Sequence, residues 1–224
     1  VDLPNVQNFG APHNLDNRRA NYGPLDFDRR HNLTINGVFQ LPKFTQSRAL
    51  GYALNDWQLS GIYRYVTGQP YNITVNVPGV SAYTLTGTQN VESARIVMLK
   101  NPGSGHSSDP YRQFDVTALA QPTRGSTGFE SGRNFLYSSP INALDLSLSK
   151  RFRFKEKVEM EFRLDAFNAL NHTQFDGISN TFTGPLGATT PTNLASEFGN
   201  PVGFGAVNSV RRPRNLQLVG RIQF

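Results

Sequence analysis

INALDLSLSKRFRFKEKVEMEFRLDAFNA, residues 141–169, decides the fold class. Leu144, Leu146, Leu148, Phe152 and Phe154 share one parity, and Asp145, Ser147, Ser149, Arg151 and Arg153 the other. Beyond the charged turn at Lys155, Glu156 and Lys157 the alternation resumes, with Val158, Met160, Phe162, Leu164 and Ala166 against Glu159, Glu161, Arg163 and Asp165. Successive side chains of a strand point to opposite faces, so a sustained period of two specifies a hairpin with one apolar and one polar face. Two polar rows of opposite sign would pair across the strands. Each arm is long enough to cross a membrane, for which a tilted barrel strand needs about 9 to 11 residues.

Working outward, residues 32–41 repeat the pattern, with Leu33, Ile35, Phe39 and Leu41 against Asn32, Thr34, Asn36 and Gln40, and Pro42 closing the run. Residues 55–67 place Trp57, Leu59, Tyr63 and Tyr65 opposite Gln58, Ser60 and Arg64. After a turn at Gly68 and Pro70, Tyr71, Ile73, Val75 and Val77 predict a further strand. The last segment, 215–224, alternates Leu216, Leu218, Ile222 and Phe224 with Asn215, Gln217, Arg221 and Gln223. Between these runs, 78–140 and 171–208 are rich in turn residues and read as long polar loops. The first is expected to hold short strands or a helical turn, with 94–99 and 115–120 as the candidates. Residues 1–24 read as an extended arm, and 25–224 as one antiparallel, barrel-like, all-β domain of amphipathic strands with long loops.

Composition agrees with this. Hydrophobic residues make up 38% and charged residues 17% of the 224, and the apolar content leans on 16 Phe and 8 Tyr rather than the 2 Met. No run of 18 apolar residues exists, which excludes a membrane-spanning helix but not a barrel, whose strands never form such a run. The net charge of +6 is carried by scattered arginines beside carboxylates, as in Asp26, Asp28, Arg29 and Arg30, so no basic stripe for nucleic acid emerges. With no cysteine, disulfides, thiolate catalysis and sulfur-ligated metals are ruled out. Val1–Gly10 has neither the basic nor the apolar region of a signal peptide, so the chain is expected to be a mature or truncated product.

The closing stretch Leu216-Gln217-Leu218-Val219-Gly220-Arg221-Ile222-Gln223-Phe224 resembles the C-terminal assembly signal of bacterial outer-membrane barrels, with Leu218, Ile222 and Phe224 as its apolar positions. Gly220 stands one place nearer the end than in the usual pattern. FRLDAFNALNHTQF, residues 162–175, resembles the penultimate-strand motif of TonB-dependent receptors, especially Oar-like barrels that carry a carboxypeptidase-regulatory-like domain. FDRRHNL (27–33), WQLSG (57–61) and TGQPY (67–71) fit the same family in the same order. The resemblance implies energised uptake of a large nutrient across the outer membrane. It implies as partners the remaining barrel strands, outer-membrane lipid and, for a full-length protein, an energy-coupling protein. A transporter barrel has about 22 strands, against roughly six to eight in this chain. The open edges of so short a sheet must meet either those missing strands or copies of the same chain, which would build a filament or tube at the cell surface.

Candidate sites are few. The four histidines, His13, His31, His106 and His172, show no zinc spacing, and nucleophile-elbow, Walker and dinucleotide motifs are absent, so the chain is expected to be non-catalytic. Asp26 with Asp28, and Asp176 with Asn180, are candidate calcium ligands; the plainer alternative is that they cap turns or pair with Arg29 and Arg30. Arg211, Arg212 and Arg214 flank the last strand. Trp57, Tyr63, Tyr65, Phe152 and Phe154 suit either a membrane-interface girdle or a buried sheet-on-sheet core.

Overall fold

A computed structural model of the chain describes residues 22–80, 95–103, 107–125, 130–154 and 158–224. The arm at 1–24 (save its last three residues), His106 and the turn at Lys155, Glu156 and Lys157 lie outside them. The contacts divide the chain into two compact units. One takes Arg30–Thr67, Ile141–Gln174 and Arg211–Phe224, and the other Val1–Arg29, Gly68–Pro140 and Phe175–Val210. The two units are interleaved along the sequence.

The first unit holds the alternating segments. β1 (Asn32–Gln40), β2 (Trp57–Val66), β8 (Ile141–Phe154), β9 (Val158–Phe167) and β13 (Asn215–Gln223) form one antiparallel sheet in the order β1-β2-β8-β9-β13. A short helix, α1 (Arg48–Leu54), lies between β1 and β2. The register aligns the apolar parity of all five strands. Phe39 faces Leu59, Leu59 faces Leu148, Leu148 faces Leu164 and Leu164 faces Leu218. Because the side-chain period is two, a slip of one residue in any pairing would send a whole apolar row to the polar face.

The second unit is built from what reads as turns and loops. Its strands are short: β3 (Pro70–Tyr71) pairs with β7 (Leu136–Tyr137), β5 (Val97–Met98) with β6 (Leu119–Ala120), and β10 (Phe175–Ile178) with β12 (Val207–Val210). β4 (Thr74–Asn76) runs parallel to β11 (Thr181–Thr183), a pairing open to strands so distant in sequence. A 3-10 turn at Val116–Ala118 precedes β6, with the Thr117 N–H capped by Asp115 Oδ1 (3.0 Å). Ile73, Ile96, Phe114, Leu119, Leu136, Phe182 and Phe204 close the core, with Phe204 edge-on to both Phe114 and Phe182 at 5.2 Å. Gln121 Nε2 donates to the carbonyls of Asn76 (3.1 Å) and Phe182 (2.9 Å), stitching this core to the β4 and β11 backbones.

Two expectations need correction here. The run Tyr71 to Val77 is no strand of the large sheet. It breaks into β3 and β4, and Ile73 and Val77 are buried in the second unit. The Asn72 side chain accepts from the Asn134 N–H, and its carbonyl accepts from Asn180 Nδ2 (2.7 Å), so side-chain bonds to distant segments replace a ladder. Likewise 171–208 is no bare loop but holds β10, β11 and the start of β12, whereas 78–140 contains the short strands and helical turn expected of it; the apolar residues of both, spaced without period, meet in one shared core.

Candidate functional site

The five-stranded sheet presents two surfaces of opposite chemistry. On the apolar surface the sequence candidates Trp57, Tyr63, Tyr65, Phe152 and Phe154 all stand at one parity. They gather at the two strand ends. Trp57, Phe152, Phe154 and Phe162 lie toward the β8–β9 turn, Tyr63 and Tyr65 toward the other end, and Leu59, Leu146, Leu148, Leu164 and Leu218 between. From Trp57 to Tyr65 is eight residues. At about 3.4 Å per residue that is about 27 Å along the strand, and a tilt of about 40° leaves about 20 Å across, close to the apolar band of a barrel. Leu218 and Ile222 extend this surface onto β13 opposite Leu164 and Met160, and Phe224 is fully exposed beyond them. Gly220, displaced from the usual terminal pattern, stands opposite Phe162, whose ring would make ordinary contact with any Cβ there.

Lys150 interrupts the apolar parity, and sequence reasoning passed over it. It faces Trp57 and is only 3% exposed. Its ammonium donates to the Asn55 carbonyl and lies 5.3 Å from the Trp57 ring and 5.2 Å from the Phe152 ring. A buried ammonium needs such partners, and aromatic faces and a carbonyl supply them without a counter-ion.

The polar surface carries Arg151 opposite Glu161, which faces Arg221 in turn, and Arg153 opposite Glu159. Glu159 lies 3.9 Å from Arg151 and 3.8 Å from Arg153, exposed pairs worth about 0 to 1 kcal/mol. Asp165 is better held: Ser147 Oγ donates to it at 2.5 Å and Arg163 Nε at 3.1 Å. Val38, Ser60, Ile62, Ser147, Asp165 and Phe167 line a cleft of about 560 Å³ on this face.

The segment after β9 is a clamp. Asn168, at φ +51°, receives His172 N–H on Oδ1 and gives Nδ2 back to the His172 carbonyl, both at 3.1 Å, while its own N–H goes to Asp145 Oδ1 (2.8 Å). Asn171, at φ +52°, accepts the Arg214 N–H and so reaches the start of β13. Gln174 adds a bond from Nε2 to the Asn142 carbonyl. FNALNHTQ thus ties the top of the hairpin to the strands beside it.

Of the calcium candidates, Asp26 and Asp28 go to separate partners, whereas Asp176 and Asn180 line one cleft. Asp26 Oδ1 accepts from Asn134 Nδ2 at 2.5 Å, and Asp28 closes a turn through its N–H to Leu25. Asp176 and Asn180 line a separate cleft of about 190 Å³ with Gln69, Tyr71 and Ser138. Among the described residues no three His, Asp or Glu side chains are grouped to hold a metal ion.

Comparison with protein families adds the deciding observation: a model described as an outer membrane beta barrel domain matches residues 2–217. The chain belongs to that family. No curated protein and no solved structure matches it. For an outer-membrane barrel domain the two surfaces have a ready physical meaning, since lipid-facing and lumen-facing side chains alternate along each strand. None of the described helices is long and apolar enough to cross a membrane.

Proposed function

We propose that the five-stranded unit is a stretch of wall of a larger outer-membrane barrel of the TonB-dependent receptor type, serving uptake without catalysis. The supporting observation is the banding of one sheet face: aromatics at both ends, leucines between, and ionic rows on the opposite face. β1 and β13 each have one neighbour in the sheet, and hydrocarbon offers their outer backbone groups no hydrogen bonds, so the wall needs further strands as partners. Calcium has no part in this reading.

The chain has no cysteine, so single cysteines along β2 report directly in lipid vesicles. At Leu59 and Tyr63 they are expected to react with a lipid-soluble maleimide, and at Ser60 and Arg64 with a water-soluble one. A uniform reaction along β2, or a dispersed soluble monomer in detergent-free buffer, would sink the reading. Ordered filaments under the same conditions would favour self-pairing of the open edges instead.

A further inference from the structure

Val38, Ile62 and Phe167 stand at the polar parity of their strands, where a water-facing surface does not require them. They are exposed at 68%, 50% and 46%. The register brings them into two neighbouring rows of the polar face. Val38, Ser60, Ser147 and Asp165 form one row, Asn36, Ile62 and Asp145 the next, and Phe167 follows Asp165 along β9. Together they line the cleft of about 560 Å³. These positions hold two carboxylates and no lysine or arginine. Toward the β8–β9 turn, by contrast, each glutamate of this face stands opposite an arginine.

The two carboxylates are not equivalent. Asp165 is 8% exposed and is taken up by Ser147 and by Arg163, which reaches it from the next row. Asp145 accepts the Asn168 N–H on Oδ1 (2.8 Å) and has no ion-pair partner among the described residues. Arg64, opposite Ala143 and so one row beyond, forms no ion pair with it. A carboxylate beside exposed hydrocarbon suits a ligand that offers the reverse set, a positive charge on an apolar body. The carboxylate accepts charge-assisted hydrogen bonds, the aliphatic side chains cover the body, and an aromatic ring attracts the charge. We propose that this cleft binds a small organic cation, an amidinium, guanidinium or ammonium on a hydrocarbon or aromatic body, with Asp145 as counter-ion and Val38, Ile62 and Phe167 against the body. The proposal rests on reading the sheet as a membrane wall, whose lumen side carries the substrate, and it names the chemical class of that substrate.

Ser60 lines the cleft and Arg64 does not, so single cysteines at these two positions of β2 read its occupancy. Ser60→Cys and Arg64→Cys in lipid vesicles are labelled with the water-soluble maleimide in the presence of benzamidinium, benzamide or benzoate, which share a ring and a shape and differ in charge. The expected result is labelling slowed about fivefold at Ser60→Cys by benzamidinium, little by benzamide and not by benzoate, with no slowing at Arg64→Cys. Asp145→Asn keeps an acceptor for the Asn168 N–H and should abolish this protection. Ile62→Ser, at an exposed position, should weaken it. Equal slowing by the three ligands, slowing at both cysteines, or protection unchanged in Asp145→Asn overturns the cation site and leaves the wall intact. So does the absence of any protection while both cysteines react. Failure of Ser60→Cys to react with the water-soluble reagent at all overturns wall and site together.

Discussion

At Asn168 a left-handed backbone and a reciprocal pair of bonds to His172 meet in one residue. Alanine there loses both bonds and keeps the unfavourable φ, so Asn168→Ala is expected to destabilise the chain by about 2 to 3 kcal/mol. Asn168→Gly, which relieves the φ, should lose less, and denaturant titration of the three proteins checks the order. Tyr71 is a contrasting case. Its hydroxyl is buried without a hydrogen-bond partner among the described residues, and burial pushes its pKa up. Removing an unsatisfied polar group costs nothing in bonding, so Tyr71→Phe should leave stability unchanged or raise it by about 1 kcal/mol. At Asp115, a hydrogen bond from Lys100, helped by Thr117, holds the carboxyl down at about 2, against an ordinary 3.8. A depressed carboxylate contributes stability that is present above its unfolded pKa and lost as pH falls through the folded one. Stability should therefore fall between about pH 4 and pH 2, less so at high salt because the pair is exposed, and Asp115→Asn should flatten that limb. The residue scale is also where sequence reading failed at Lys150. One lysine among leucines resembles an ordinary break in a pattern, and only the register places it against Trp57.

At the scale of the element, the two faces of each strand differ in chemistry. Leu218 and Gln217 are neighbours on β13 and point to opposite surfaces, opposite Leu164 and Asp165. Leu218→Lys should cost about 2 to 4 kcal/mol in bilayers, while Gln217→Lys, beside Asp165, should cost little. Urea unfolding from vesicles reads both, and equal costs would mean that the apolar face does not meet lipid. All five strands of the sheet, the two of the hairpin, the 32–41 and 55–67 runs and the terminus, were legible, because a period of two survives any context that keeps one face apolar. The Tyr71 to Val77 run has the same period and a different fate. Periodicity states that alternate residues are buried; what buries them is decided by neighbours, here Phe182 and Leu136 of distant segments.

For the whole molecule, the two units should answer differently to loss of the membrane. Each edge strand, β1 and β13, is nine residues long, and roughly half of its backbone groups face away from the sheet. The core of the other unit is sealed by its own residues, with Ile96, Leu119, Leu136, Phe182 and Phe204 fully buried. On withdrawal of detergent, hydrogen exchange is expected to accelerate in β1 and β13 and to stay slow in β4 and β11; uniform behaviour would contradict this division. The sequence by itself determined the five strands of the sheet, their two-faced character and the absence of cysteine chemistry, because these depend on local period and composition. Only the tertiary structure decided that the turn-rich stretches condense into a second core, that Asp26 and Asn180 serve as ties, and that Lys150 is buried against Trp57 and Phe152. Those depend on contacts between residues far apart in the chain, which no local pattern encodes.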